Sequence, residues 1–396
     1  MGKSSVVLHP LLALCITLLL TPAPALAVDA EHSPLAAFGD QRFPPFYRDA
    51  LQAYVDGATA YRQGDYQKAA RALDALWARH PPGTKQWKQF QTSTDRQHSV
   101  ADFGRPPVYS ALRMLTECVQ WRLAAGNAKP RNTAQLTVLL VGESQGLAPS
   151  TREELQAGGG RPVVHTLAPE FQGDGASRIL DETYWLFDEY LLAITKGELG
   201  LRRVIVRLPD FRAALGVKPG SVQLSRAETD RIFAAVPNEV ARATDWWLIV
   251  YPSHVPTAPA FKGVRFATGG IRGGPPGSGA PCFVSEDLKH LSAPNQDGRR
   301  VLTPLEREVA LPQWLQHEFF HHLFVLYHDE SLEARSHQWF DKKAWPADFE
   351  GFGEADYFTE AVHKRIWPHS PPALSQRLRN ANVKGGASDR GVDLEE

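Results

Sequence analysis

The chain has 396 residues, of which 43% are hydrophobic and 22% are charged, and its formal net charge is −1. The 43 lysines and arginines nearly balance the 44 aspartates and glutamates, and both signs are interspersed along the chain. This balance gives no electrostatic footprint for nucleic acid or for an anionic membrane surface, so neither is an expected partner. The length suffices for one large domain or two ordinary ones.

Residues 1–27 have the pattern of a secretory signal peptide. Lys3 supplies positive charge, an apolar run follows at 11–20, and Ala25-Leu26-Ala27 is typical of a cleavage site. The apolar run is too short to span a bilayer. We therefore expect a secreted or periplasmic protein with no stable membrane anchor after signal cleavage.

Three cysteines are present, and Cys15 lies in the predicted signal peptide. Cys118 and Cys282 remain in the mature chain. An exported protein can form a disulfide, but the sequence does not show whether these two residues lie close together. The pairing is left open at this point.

Residues 28–130 are predicted to form a helical region. Small residues recur from position 47 onward, Gly64-Asp65 marks a turn, and Pro81 ends the second helix. This pattern resembles one tetratricopeptide repeat, with a further helix expected at 108–125. A single repeat does not bury a core alone, so a helical module docked on the following domain is favoured over a peptide-binding groove.

The middle of the chain alternates between predicted strands and helices. Short apolar or β-branched runs predict strands at 136–141, 163–167, 202–211, 245–252 and 281–288, the last at a sheet edge. Helical periodicity predicts helices at 176–196, ending at Gly197, and at 225–244, starting with a Ser225–Glu228 capping box. A Gly-rich loop is expected after residue 141, and an irregular segment at 255–281.

An H-E-x-x-H pattern, HEFFH, lies at 317–321 in an apolar, helix-forming stretch. On a helix, His317 and His321 lie on one face one turn apart, so both imidazoles can bind one ion. Glu318 can reach a metal-bound water without binding the metal itself. Upstream, a helix start is predicted at Thr303, and Pro312 either kinks that helix or begins a new one.

HEFFH, the preceding sheet and an acidic helix downstream resemble the zincin class of metallopeptidases, over roughly residues 130–370. The resemblance implies an α+β fold, in which a twisted mixed sheet packs over the HExxH helix, preceded here by the tetratricopeptide-like helical segment. It divides the chain into a signal peptide (1–27), a helical region (28–130), a zincin-like catalytic domain (131–372) and a loosely ordered tail (373–396).

A catalytic zinc ion usually takes three protein ligands and one water. The three-histidine zincin branch is excluded, because its third histidine position is Tyr327 and its glycine position is Phe324. The resemblance is therefore to the glutamate-third-ligand branch, the gluzincins, in which a later helix supplies the ligand.

The third ligand is expected to be Glu354, with other acids left as alternatives. Glu354-Ala355 is similar to the Asn-Glu-Ala stretch of thermolysin-like enzymes, although Phe358 occupies the position where those enzymes often place a histidine-orienting acid. Glu350 begins a stretch similar to the Glu-Gly-Phe-Ala of aminopeptidases. The remaining candidates are Glu360, Asp356 and His337.

These features predict an exported zinc-dependent hydrolase, most simply a peptidase acting on a peptide or protein substrate. Glu318 would act as general base toward a metal-activated water. The candidate oxyanion donors are Tyr327, Tyr357 and His363. By analogy with the fold, the predicted edge strand at 281–288 could pair with an extended substrate.

Two other functions compete with this prediction. The first is a catalytically inactive zincin-like binding protein that uses its helical module for partner recognition, although Glu318 favours an enzyme. The second is a serine hydrolase, because GESQG at 142–146 matches the G-x-S-x-G nucleophile elbow around Ser144. A nearby proline, Pro149, interrupts the helix that such an elbow needs, so a Gly-rich loop is favoured there.

Overall fold

The computed structural model describes residues 45–87, 108–148, 161–167, 169–218, 221–252, 268–270, 283–286, 304–326, 349 and 351–366. The predicted signal peptide, the tail, Tyr327, His337, Glu350 and Cys282 lie outside these residues. The helices are α1 (Pro45–Arg62), α2 (Tyr66–Arg79), α3 (Val108–Ala125), α4 (Pro169–Gln172), α5 (Gly175–Ile194), α6 (Arg226–Ala234), α7 (Asn238–Ala243), α8 (Pro304–Leu326) and α9 (Glu354–Ala361), followed by a π-helical turn at Val362–Ile366. The strands are β1 (Asn132–Ala148), β2 (Arg161–Thr166), β3 (Leu199–Lys218), β4 (Ser221–Leu224), β5 (Trp246–Val250), β6 (Thr268–Gly270) and β7 (Phe283–Glu286).

The first three helices form a hairpin with a third helix packed on it. Gly64 makes the turn with a φ of +77°, a value that glycine adopts without strain. Asp65 then caps α2, because its Oδ1 accepts a hydrogen bond from the Lys68 amide at 2.9 Å. The predicted hairpin, its turn and the packing of α3 on both helices are confirmed.

The strands form one mixed sheet in the order β4-β3-β1-β5-β7-β6, with β2 also paired to β1. The central pairs β1–β3, β1–β5 and β5–β7 are parallel, whereas β2, β4 and β6 pair antiparallel with their neighbours. Side chains along β1 and β5 alternate between two hydrophobic clusters, as the two-residue strand period requires. The sheet therefore has helices on both faces.

The predicted Gly-rich loop after residue 141 is wrong, because β1 continues to Ala148. Residues beyond Val141 pair with β2 on one side and β3 on the other, across a register shift between Val141 and Glu143. A Cβ atom on Gly142 would lie 2.1 Å from the Pro209 carbonyl oxygen, so the strands approach closely because this residue is glycine.

Two further predicted elements differ from the structure. The helix expected at 225–244 is broken into α6 and α7 at Pro237, whose ring cannot continue the hydrogen-bond ladder. The strand expected at a sheet edge is β7, which lies between β5 and β6. The end of the described sheet is β6, which falls within the segment predicted to be irregular.

One hydrophobic cluster joins the N-terminal helices to one face of the sheet and to α5, α8 and α9. A second cluster packs α6 and α7 on the opposite face. Cys118 is a free, buried cysteine in the first cluster, so it does not form the disulfide that the sequence left open. Among the described residues, no helix is both long and apolar enough to cross a membrane.

Candidate functional site

Helix α8 runs without interruption from Pro304 to Leu326 and contains the whole HEFFH pattern. Pro312 lies inside this helix, which excludes a separate helix beginning there. His317 and Glu318 are only 5% and 7% exposed. His321 lies one turn after His317 on the same continuous helix, although its side chain is outside what the structure describes.

The two phenylalanines inside the pattern fix the rotation of α8 against the rest of the protein. The ring of Phe319 stacks on Trp246 of β5 at 4.3 Å between centroids and meets the Phe187 edge at 5.5 Å. Phe320 contacts the ring of Tyr190 at 6.1 Å. Because these contacts hold the apolar face of α8, they also set the direction in which the histidine face points.

A hydrogen-bond relay joins α8 to α9 through α5. The Gln316 side-chain amide donates to the Tyr190 hydroxyl at 2.7 Å, and that hydroxyl lies 2.7 Å from the Thr359 hydroxyl. All three side chains are buried. Burial raises the pKa of Tyr190 well above its usual value, so the phenol stays neutral and can both donate and accept.

Aromatic and polar contacts join α5 to α8. Phe187 of α5 meets Phe319, and Tyr190 meets both Gln316 and Phe320. Arg62 of α1 lies over the Trp185 ring of α5 and pairs with Glu308 of α8.

Helices α5 and α9 run in the same direction. Tyr190 meets Thr359, and the backbone of Ile194, one turn later, hydrogen-bonds with the His363 side chain.

The ring of Phe358 lies against the HExxH helix. It meets the His317 ring edge-on at 5.9 Å and an 89° angle, and it contacts Phe320 at 5.2 Å. Position 354 comes one turn before Phe358 on the same helix face.

The other described candidates for the third ligand lie elsewhere. The Asp356 carboxylate faces α3, where it accepts hydrogen bonds from Tyr109 and Arg113, each at 2.6 Å. Glu360 pairs with Lys364 at 2.7 Å, and its position is about 200° around the helix from Phe358. Glu354 lies one turn before Phe358 in α9, and its side chain is outside what the structure describes.

Two of the candidate oxyanion donors are within the described residues. Tyr357 is buried, and its ring contacts Phe349 and Phe358 at 5.6 Å each. His363 lies at the C-terminal end of α5, where burial chiefly, and then the Lys196 charge, lower its pKa.

Ser144 lies within β1, where it is paired with Ala213 of β3 and His165 of β2. The side chain is fully buried, and its hydroxyl donates to the Pro252 carbonyl. A nucleophile elbow needs a sharp turn from strand to helix with an exposed hydroxyl. The local backbone at Ser144 does not have this form.

Several residues that organise the site had no clear signal in the sequence. Asp356 is the third residue of α9 and accepts hydrogen bonds from the Phe352 and Gly353 amides at 2.9 and 3.0 Å. A capping box is recognised by a serine or threonine at the cap, and here that residue is Gly353. Tyr190 and Gln316 look like ordinary helix residues until their partners are known.

Among the side chains that the structure describes, no group of three or more potential metal ligands is found. The side chains of His321 and Glu354 do not belong to that set. Comparisons with family models, with curated proteins and with solved structures gave no match for this chain.

Proposed function

We propose that this protein is an exported zinc-dependent hydrolase, with a zincin-like fold and a glutamate as the third metal ligand. The proposed ligands are His317, His321 and Glu354. The substrate class is a peptide or protein, and Glu318 is the general base.

The observation that carries this proposal is the contact between α9 and α8. The helix that begins at Glu354 touches the first histidine of the HExxH helix through Phe358, one turn after Glu354. In the branch that the sequence resembles, an acid often stands four residues after the glutamate ligand and orients a histidine, and this chain departs from that pattern. Phe358 occupies that position and contacts His317 by packing.

The surroundings suit a zinc ion with nitrogen and carboxylate ligands. Zinc is typically bound by imidazole and carboxylate groups, and a catalytic site keeps one position for water. His317 and Glu318 lie where apolar neighbours limit water access, which strengthens electrostatic interactions at the site.

When bound, zinc would supply Lewis-acid polarisation of the scissile carbonyl and a water of lowered pKa. The protein contributes the proton transfers. The Glu318 carboxylate accepts the proton of the attacking water as the O–C bond forms, and it then donates that proton to the leaving amine as the C–N bond breaks. No proton is gained or lost by the enzyme over the cycle.

Replacing Glu318 by Gln tests the proposal directly. Glu318→Gln should lower kcat/KM toward a peptide library by about 100- to 10,000-fold, because proton transfer is lost while the metal ligands remain. Zinc content, measured by mass spectrometry of the native protein, should stay equal to that of the wild type.

Ser144→Ala is the matched control for the competing serine mechanism. We expect it to retain hydrolysis, because the Ser144 hydroxyl is buried against the Pro252 carbonyl. Loss of activity in Ser144→Ala together with covalent labelling of Ser144 would support the serine hydrolase instead. A wild-type protein that binds zinc but cleaves no peptide in the library would support the inactive binding protein.

A further inference from the structure

Asp356 is the most densely hydrogen-bonded carboxylate in the described part of α9. One oxygen, Oδ1, accepts from the Arg113 Nε at 2.6 Å. The other, Oδ2, accepts from the Tyr109 hydroxyl at 2.6 Å and from the amides of Phe352 and Gly353 at 2.9 and 3.0 Å. The side chain is 5% exposed, so these partners replace water almost completely.

The backbone before α9 is shaped to allow this arrangement. A Cβ atom at Gly353 would lie 2.6 Å from the Cε1 atom of Tyr109. A Cβ atom at Gly351 would lie 2.4 Å from the Cβ atom of Asp356. Both glycines therefore permit contacts that any side chain would block.

The two donors on α3 are held in turn by the N-terminal hairpin. The Arg113 guanidinium lies 5.7 Å from the centroid of the Trp77 ring of α2, and its Nη2 atom is 3.6 Å from the Glu117 carboxylate. The Trp77 indole nitrogen donates to the Thr116 hydroxyl at 3.1 Å. Tyr109 also contacts Trp77 edge-on, with 5.8 Å between ring centroids. The donors thus belong to a packed part of the helical segment.

Favourable electrostatic interactions stabilise the Asp356 carboxylate at this position. The carboxylate sits in the first turn of α9, where the positive end of the helix dipole stabilises it. A charge-assisted bond from Arg113 and a phenol bond from Tyr109 fix the same turn from outside. Glu354 is two residues before Asp356, in the turn that these bonds hold.

We infer that Tyr109 and Arg113 of the N-terminal helical segment position the third zinc ligand through their hydrogen bonds to Asp356. This inference rests on the proposed zinc site, and it gives the helical segment a role in metal retention. Asp356 is a positioning residue in this scheme, because its carboxylate faces α3 and acts on the site through the backbone of α9.

The test compares Asp356→Asn with Glu189→Gln in the full-length protein. Glu189 of α5 also pairs with an arginine of α3, Arg122, at 2.7 and 3.0 Å, and it accepts a further hydrogen bond from Tyr61 of α1. Each change removes a carboxylate that pairs with an arginine of α3. Tyr109→Phe provides a milder variant that removes one donor and leaves the shape unchanged.

We expect zinc affinity to fall about 10- to 100-fold in Asp356→Asn, the range for losing an outer partner of a metal ligand. Tyr109→Phe should show a smaller loss, and Glu189→Gln should bind zinc like the wild type. In cobalt-substituted protein, the absorption bands should shift only in the first two variants. Hydrogen exchange at the amides of residues 352–358 should accelerate in the same two variants.

The outcomes separate the two proposals. If the wild type binds zinc and Asp356→Asn matches Glu189→Gln in affinity and cobalt spectrum, the inference fails while the proposed function stands. If the wild type binds no zinc, the proposed function fails, and the positioning role fails with it. If Asp356→Asn does not fold, zinc affinity and exchange in Tyr109→Phe decide the question in the same way.

Discussion

At the residue scale, His363 is a histidine whose surroundings shift its pKa, although it is not one of the proposed metal ligands. Its ring lies in the π-helical turn after α9 and hydrogen-bonds with the backbone of Ile194. Burial is the main reason that its pKa lies below the usual value, and the nearby Lys196 charge adds to the effect. Protonation is therefore less favourable in the folded protein than in the unfolded chain.

This shift predicts a specific pH dependence of stability. The unfolded histidine binds its proton near pH 6.5, whereas the folded one does so only at lower pH, so acidification below about 6.5 favours the unfolded chain. In metal-free protein, the free energy of unfolding should fall more in the wild type than in His363→Gln as pH drops from about 7.5 to 5. Urea titrations at several pH values measure the difference.

An NMR titration of His363 provides the check on the mechanism. Lys196→Gln removes the nearby charge, which is one of the two causes of the lowered pKa, and should bring the pKa of His363 closer to its usual value. A His363 pKa at or above about 6.5 in the folded wild type would contradict the prediction.

Candidate functional residues could be predicted from the sequence where they lie close together along the chain. His317, Glu318 and His321 form a pattern within one and a half turns of helix, so no distant information is needed to recognise them. The role of Asp356 was not predictable, because its partners Tyr109 and Arg113 are 247 and 243 residues away. A buried aspartate with distant partners looks the same in sequence as one on a solvated helix face.

At the element scale, helix α8 follows the sequence closely and β1 does not. A proline in a helix interior costs one backbone hydrogen bond, yet α8 passes through Pro312 because both halves of the helix are packed. In β1, the stretch GESQG looks like a loop by composition. It is a strand because β2 and β3 supply hydrogen-bond partners that lie far away in the chain.

At the proposed zinc site, the contact of α9 with His317 favours Glu354 as the third ligand. Glu354→Ala should weaken zinc binding by more than about 100-fold, beyond the effect expected for an outer partner, because a direct ligand is lost. Glu360→Ala, on the same helix, should bind zinc like the wild type, because its carboxylate pairs with Lys364. Competition with a chromogenic chelator measures both affinities.

Equal affinities in the two variants would refute Glu354 as a ligand. The acid would then have to come from a residue such as Glu350, which lies outside the described residues.

At the scale of the whole molecule, the N-terminal helices belong to the same hydrophobic cluster as α8 and α9. Glu308 of α8 accepts a hydrogen bond from Tyr54 of α1 at 2.9 Å and pairs with Arg62 at 2.7 Å. Arg122 of α3 makes a bidentate pair with Glu189 of α5. These buried links predict that the two regions unfold together.

Leu115 of α3 tests that cooperativity, because its side chain is fully buried in the shared cluster. Leu115→Ala should reduce the free energy of unfolding by about 2–5 kcal/mol through lost contacts and a residual cavity. Unfolding should remain a single transition, and tryptophan fluorescence and zinc release should share its midpoint.

The control is Leu123→Ala on the same helix, where the side chain is 41% exposed. We expect it to cost less than about 0.5 kcal/mol. Two separate transitions in the Leu115→Ala protein would show that the N-terminal helical segment folds independently of α8 and α9.

The links from Tyr54 to Glu308 and from Tyr109 to Asp356 span 254 and 247 residues. A chain made from its N-terminus therefore completes the early helices long before it makes the helices that cover them. Contacts across such distances form late and slow folding. If the protein is the zinc hydrolase proposed above, its catalytic centre is assembled only after α9 has been synthesised, and a chain that ends before α9 has no hydrolytic activity.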